Sequence, residues 1–467
     1  MSSSSSPTSS QVGAGEGHGG GGSGGRRRRR RGGRQTYEGE SSASSIRRRS
    51  SNIDGVWPEP FVEALAVQVA ADAALSVGRL AAAPSIATLF QVCSTWRAVS
   101  RSELLWQNLT RRIWNCSQLL RHSWREEYIY RHRTAQNFRL RRYVHTVLQF
   151  DDQGPEDNGV GDNLLCLRLT LSDHHLAAGF SDGSVRLFNL HSLLLLHTYR
   201  PFPRDLLGVF SRAVSGIILT LPQLIFASLD GDIHVSLFDN GGPGPTRRAL
   251  LGNVVNDGAL VDFTGCNRFW VGLYAGVPGR AIHIWDGESE ELLFVGETLT
   301  DPEAVIGWHT LTALTEFVGR VRIMNQELAV ACTSLRVLVF DLRDMEVIHS
   351  QVENRRGLIV GCLDTSNDEY LTADSRGVVT VRRGRTSEQV YAFRVRGAAV
   401  ARGVIGCMNS CHAIIFAGGV IRLWEIEGGE YLYRLRERVE ATVLAANDRH
   451  LAASSNDRTI HLWDFGA

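Results

Sequence analysis

The sequence predicts an α + all-β chain: a helical N-terminal segment followed by a seven-bladed β-propeller, behind a disordered N-terminal tail. Three observations predict it. Residues 1–52 are Ser, Gly and Arg with almost no apolar content. Residues 56–138 carry apolar side chains at three- and four-residue spacing. From 143 onward the chain turns into short alternating runs broken by Gly, Asp and Asn.

The tail comes first. A segment so poor in apolar residues buries too little surface to offset the entropy of ordering, so 1–52 is expected to be disordered. Within it lie six consecutive arginines, Arg26, Arg27, Arg28, Arg29, Arg30 and Arg31. An exposed basic run of this kind reads as a nuclear import signal, and otherwise as a solvated charge run. The tail holds ten arginines against three acids, a net +7, while the remainder is net −6. Direct nucleic-acid binding through the Arg tail is not expected, because the folded remainder is net acidic.

The helical segment comes next. Ser85 is placed to cap a helix with Ile86, Leu89, Phe90, Cys93 and Trp96 on one face, and Ser102 to cap the next, with Leu105, Trp106, Leu109 and Ile113. Residues 124–138, WREEYIYRHRTAQNF, mix aromatics with charges and suit a connecting helix more than a core one.

The propeller rests on repetition. SDGSVRLF, LDGDIHVS, PGRAIHIW, SLRVLVF, SRGVVTVR, GGVIRLW and NDRTIHLW align as a turn followed by a strand. They end at 188, 236, 285, 340, 382, 424 and 463, in steps of 48, 49, 55, 42, 42 and 39. Steps of about 40–45 residues are the period of a WD40 blade, and seven lines imply seven blades. No outer strand follows the last line, whereas YVHTVLQF (143–150) precedes the first and alternates like a strand. It is expected to complete the seventh blade and remove the open edge. The Trp-Asp signature is partial: Trp285-Asp286 and Trp463-Asp464 are intact, while Trp424-Glu425 and Phe340-Asp341 are variants, and the Gly-His dipeptide is missing. The blades should then rest on apolar packing more than on buried polar networks.

The run VCSTWRAVSRSELLWQNL (92–109) resembles the second half of an F-box, and Trp57, Pro58, Phe61 and Leu65 resemble its opening. An Ala-rich helical extension, 70–84, separates the halves. The resemblance implies that Trp57, Pro58, Phe61, Leu65, Val92, Cys93, Trp96, Leu105 and Trp106 form the core and docking face for a Skp-type adaptor, and through it a cullin. An F-box followed by WD repeats is similar to the F-box/WD40 class of ubiquitin-ligase substrate receptors. Over 53–467, strings such as WPEPFVEALAVQVA, NDGALVDFTGC, VGLYAGVPGRA and IHLWDFG also resemble the STERILE APETALA family of plant nuclear proteins of flower and organ development. That implies a ligase-bound regulator of nuclear transcription whose protein targets are transcriptional repressors; the alternative is a propeller scaffold in a co-repressor complex. The expected divisions are tail 1–52, F-box 53–110, helical linker 111–142 and propeller 143–467.

Other classes find little support. Neither His174-His175 nor Trp308-His309 has a nucleophile or carboxylate at a recognisable spacing, and no phosphate- or dinucleotide-binding fingerprint occurs. A non-catalytic chain without cofactor is expected. Cys407, Cys411 and His412 have metal-like spacing but no fourth ligand, so a core role is preferred and no metal is expected. The start, MSSSSSPTSS, lacks the apolar stretch of a secretory signal. No apolar run reaches the roughly 18 residues of a membrane span; 64–93 comes closest, broken by Asp72, Arg79 and two glutamines. Loops on one propeller face carry Arg280, Arg376, Arg458, Arg355 and Arg356, whose guanidinium forks suit an acidic or phosphorylated substrate segment. In the bland reading such arginines pair with nearby acids. Finally, all 50 positive side chains are arginines and none is lysine. In a subunit beside a ubiquitin-transferring enzyme, that is either shielding or a coding bias toward Arg.

Overall fold

The computed structural model describes residues 57–116, 119–150, 164–201, 209–239, 242–297, 319–333, 336–352, 359–374, 377–395 and 404–467. The expected disordered tail, with its arginine run, lies outside them. Five helices open the described chain: α1 Glu59–Val77, α2 Ala82–Leu89, α3 Ser94–Val99, α4 Glu103–Trp114 and α5 Trp124–Leu140. In the described residues after them the regular structure is β-strand apart from short helical turns.

Local chemistry sets the helix limits. Ser102 caps α4 as expected, its hydroxyl accepting from the Leu105 amide at 3.4 Å. Ser85 does not cap: α2 begins earlier, at Ala82, and the Ser85 hydroxyl donates back to the Ala81 carbonyl at 2.9 Å. Pro84 is tolerated there because first-turn amides have no helical acceptor. The Ala-rich extension is not one helix either. It is the C-terminal half of α1, stopped at Gly78, whose φ of 111° is one that side-chain-bearing residues rarely adopt. By length and composition α1 could cross a membrane, contrary to the count made on the sequence. Its Val62, Ala66 and Ala70 are fully buried in the core of the helical segment, while Phe61, Leu75 and Val77 face solvent.

The β-region is a propeller. Its first strands, Cys166–Leu171, Val214–Thr220, Ala259–Gly265, Gly319–Met324, Ile359–Ser366, Ile405–Met408 and Ala441–Ala446, neighbour one another in a closed circuit. The expectation of seven separate blades needs correction. Five sheets stand apart with four strands each, and the eight strands between Val214 and Gly296 form one continuous sheet. The join is a parallel pairing of Phe263 with Gly216. A Cβ on Gly216 would lie 2.0 Å from the Phe263 carbonyl oxygen, so only glycine allows this approach. Gly216→Ala should force these first strands apart and cost about 1–3 kcal/mol, read as a lower denaturant midpoint; an unchanged midpoint would mean the contact is not held in solution.

The closing strand behaves as expected. β1 (Val144–Gln149) pairs antiparallel with Thr459–Asp464 and forms the outer edge of the last sheet, register Val144 to Asp464 through Gln149 to Thr459. Trp463 is fully buried behind it and donates from Nε1 to Glu437 at 3.0 Å.

Beside the apolar packing expected of the blades, a buried charge network lies at the centre. Asp262 is fully buried on a first strand and faces Arg168 at 3.4 Å, Arg320 at 3.6 Å and Arg322 at 2.8 Å; Arg322 also reaches Asp364 at 3.6 Å. Arg168 further donates to the Ser215 and Val261 carbonyls, at 2.6 and 2.8 Å. Burial, then the neighbouring Arg320, lowers its pKa to about 9, with Asp262 opposing. Four first strands are thus tied by charge across the axis.

Candidate protein-docking site

The helical segment builds one core and leaves an apolar surface. Leu105 and Trp106 are buried; the Trp106 indole donates to the Ser100 carbonyl at 2.7 Å and packs on Tyr128 with ring centres 5.2 Å apart. Leu65 and Trp96 are half-buried against the same core. The remaining expected residues face solvent. Trp57 and Phe61 are 51% and 46% exposed and stack on each other with centroids 4.7 Å apart. Pro58 and Cys93 are exposed, and Val92 is 63% exposed in the turn before α3. Leu104, which the sequence reading missed, is 57% exposed. Its signal was the apolar Leu-Leu pair opening α4, since one face of a helix cannot bury both neighbours. The nine expected residues therefore divide into supports and a solvent-facing set, of which Trp57 and Phe61 touch each other; isolated exposed apolar residues are ordinary, whereas a grouped set marks a contact surface.

Helix α5 holds this segment to the propeller, more deeply than a connector would. Glu127, Tyr128, Thr134, Ala135, Asn137 and Phe138 are buried. The Asn137 amide donates to the Phe465 carbonyl at 2.8 Å, and the Phe138 ring stacks on Phe465 at 3.6 Å and on His412 at 5.1 Å. The Tyr433 hydroxyl donates to the Phe138 carbonyl. Arg131 bridges Glu127 at 2.7 Å and Asp448 at 3.4 Å. At the other end Asn115 reaches Asn367 at 3.2 Å, and Glu427 accepts from the Arg79 amide at 3.1 Å. Asn367 and Asp448 lie in turns joining first to second strands and Glu427 in one joining third to fourth, so the helices cover that side of the ring.

The turns between second and third strands lie at the opposite ends of the blades, because consecutive strands run antiparallel. Arg280 and Arg458 sit there. Arg280 is held by Asp257, Nη2 to Oδ1 2.6 Å, so part of the bland pairing is realised, with a partner the sequence reading did not name. Asp457 accepts from the Thr459 amide at 3.2 Å. Arg376, Arg355 and Arg356 lie outside the described residues, as does Trp308-His309.

Cys407 is buried in the propeller core, Cys411 packs against the core of the helical segment, and His412 lies under Phe138. Among the described residues no group of three or more His, Cys, Asp or Glu is placed to hold a metal. Burial pushes the imidazoles of His234, His283 and His450 down to about 4 and that of His412 to about 3. These groups fold neutral. A folded pKa below the unfolded 6.5 contributes stability above pH 6.5 that is lost as pH falls toward 4. The buried carboxyls of Asp364, Glu369 and Glu427, pushed up by burial, act in the opposite sense. As the unfolded chain protonates these histidines, the thermal midpoint should fall from pH 6.5 to 4; a flat profile would show that the imidazoles stay hydrated.

The chain is 56% identical over 434 residues to Transcriptional regulator STERILE APETALA of Arabidopsis thaliana, a match covering 92% of this chain and 96% of that protein. No protein-family profile matches it. Among solved structures it is similar to the Cps50 (Swd1) beta-propeller domain of Myceliophteria thermophila, at 12% identity, TM-score 0.49, over 69% of this chain and 99% of that one. It is also similar to the Dos1 propeller, at 12% identity, TM-score 0.47, over 64% and 78%.

Proposed function

Because this chain belongs to the STERILE APETALA family of transcriptional regulators, we propose that it regulates transcription in the nucleus as the substrate-recognition subunit of an SCF-type ubiquitin ligase. The observation that carries the reading is the division of the F-box-like run. Leu105 and Trp106 are buried as supports, while Trp57, Phe61 and Val92 are presented to solvent, as an adaptor would require. In this reading the chain is not itself catalytic. The adaptor and a cullin bring the charged conjugating enzyme, and the propeller holds a target, such as a transcriptional repressor acting in flower and organ development.

The parts take these roles. The eight-stranded sheet counts as two blades whose first strands touch, giving seven repeat units around the circuit of first strands. The face carrying Arg280 and Arg458 receives the target, because the helices cover the other side. The run Arg26–Arg31 serves import.

A second reading fits the relative's name equally: a non-ligase propeller scaffold that regulates transcription as a co-repressor. Capture of a Skp-type adaptor and a cullin by the full-length chain separates the two. Adaptor in the pull-down supports the receptor; its absence from the wild-type pull-down removes the ligase and leaves the scaffold.

A further inference from the structure

We infer that the lysine-free composition keeps this chain from being ubiquitinated by the ligase it docks to, an inference that rests on the substrate-receptor reading. In ubiquitin transfer an acceptor amine attacks the thioester carbonyl of the charged conjugating enzyme. An amide bond forms, the C–S bond breaks, the amine loses a proton and the enzyme's cysteine leaves as a thiol. An arginine cannot be that acceptor, because its guanidinium stays protonated and its lone pairs are delocalised.

The fold explains only some of the arginines. Arg449 grips Asp464 with two parallel bonds of 2.9 and 2.7 Å, and Arg168 serves three carbonyls and a buried acid, geometries that a lysine cannot copy. Other positions demand nothing of the kind. Arg383 and Glu388 are both exposed and meet at 3.6 Å, and Arg139 meets Glu425 at 3.7 Å and Glu430 at 3.8 Å. Exposed pairs of this sort are worth about 0–1 kcal/mol, which an ammonium supplies as well. That all such positions among 50 are arginine is therefore not a requirement of packing.

Most of the described thiols, the other strong nucleophiles, are put away as well; Cys266 is partly exposed. Cys116, Cys166, Cys332 and Cys407 are buried. Burial pushes the Cys166 thiol up to about 11 and those of Cys332 and Cys411 to about 12. Among the described cysteines only Cys93 is exposed, and it adjoins Val92 on the proposed docking face, where the adaptor would cover it.

The test restores amines without touching that face. Exposed Arg139, Arg383 and Arg434 are changed together in the full chain (Arg139→Lys, Arg383→Lys, Arg434→Lys), and half-life, ubiquitin attachment and adaptor capture are read in plant cells. The expected result is a several-fold shorter half-life, reversed by a proteasome inhibitor, with ubiquitin mapped to the new lysines and adaptor capture unchanged. In a chain that also carries Phe61→Asp and Val92→Asp, the lysines should change nothing. An unchanged half-life with intact adaptor capture overturns the inference and leaves a coding bias. Shortening that persists without docking overturns it too, since another ligase is then responsible. A wild-type chain that captures no adaptor sinks the receptor reading itself, in the pull-down, and this inference with it.

Discussion

Phe138→Ala is expected to cost about 3–5 kcal/mol, the usual price of emptying a fully buried phenylalanine site. The ring is almost fully buried, lies 3.6 Å from Phe465 and 5.1 Å from His412, and belongs to the same packed group as Trp463. Only three turns of α5 separate it from Tyr128, which belongs to the core of the helical segment. A cavity there weakens both cores at once. Since the net stability of a folded protein is about 5–15 kcal/mol, the loss is a large fraction of the whole. The denaturant midpoint should fall sharply, and Phe138→Leu should recover most of it. Midpoints equal to wild type would show that the stack against Phe465 contributes nothing.

That helix also marks where the sequence stopped being readable. Its Glu127 and Arg131 look like surface charges, yet Glu127 is buried because Arg131 and the Leu120 amide satisfy it, at 2.7 and 3.3 Å. Charge partners fixed by tertiary contact leave no local trace. The same holds for Asp262, whose partners at 168, 320 and 322 lie scores of residues away and meet only when the ring closes. In α1 the apolar pattern misleads for another reason: apart from Val62 the buried positions are alanines, Ala66, Ala70 and Ala71, while the larger Leu75 and Val77 face solvent. A small side chain faces the core where helices approach closely, and hydrophobicity alone ranks it too low. What was legible depends on neighbours in sequence. The Ser102 cap, the alternation of 143–150 and the repeated turn-and-strand lines are all settled within a few residues. The fused sheet had one clue, Gly216 within the strand VSGIILT, because a strand glycine often marks close backbone approach.

The double change Phe61→Asp with Val92→Asp should abolish adaptor capture and leave the fold alone. Both side chains are about half exposed or more, so placing carboxylates there changes stability by no more than about 0.5 kcal/mol each. At the centre of an interface the same carboxylates must be desolvated without partners. Hot-spot losses run to 2 kcal/mol or more apiece, and about 1.4 kcal/mol is a tenfold change, so capture should weaken on the order of 100-fold or more. Leu105→Ala supplies the contrast. Leu105 is fully buried, so its loss should cost about 2–5 kcal/mol and lower capture only by loosening the support. Two readouts keep these apart: the surface pair loses capture at an unchanged thermal midpoint, and Leu105→Ala loses both together. If the surface pair still captured adaptor like wild type, the face built from Trp57, Phe61 and Val92 would not be the docking face, and any adaptor contact would have to be sought elsewhere on the helices.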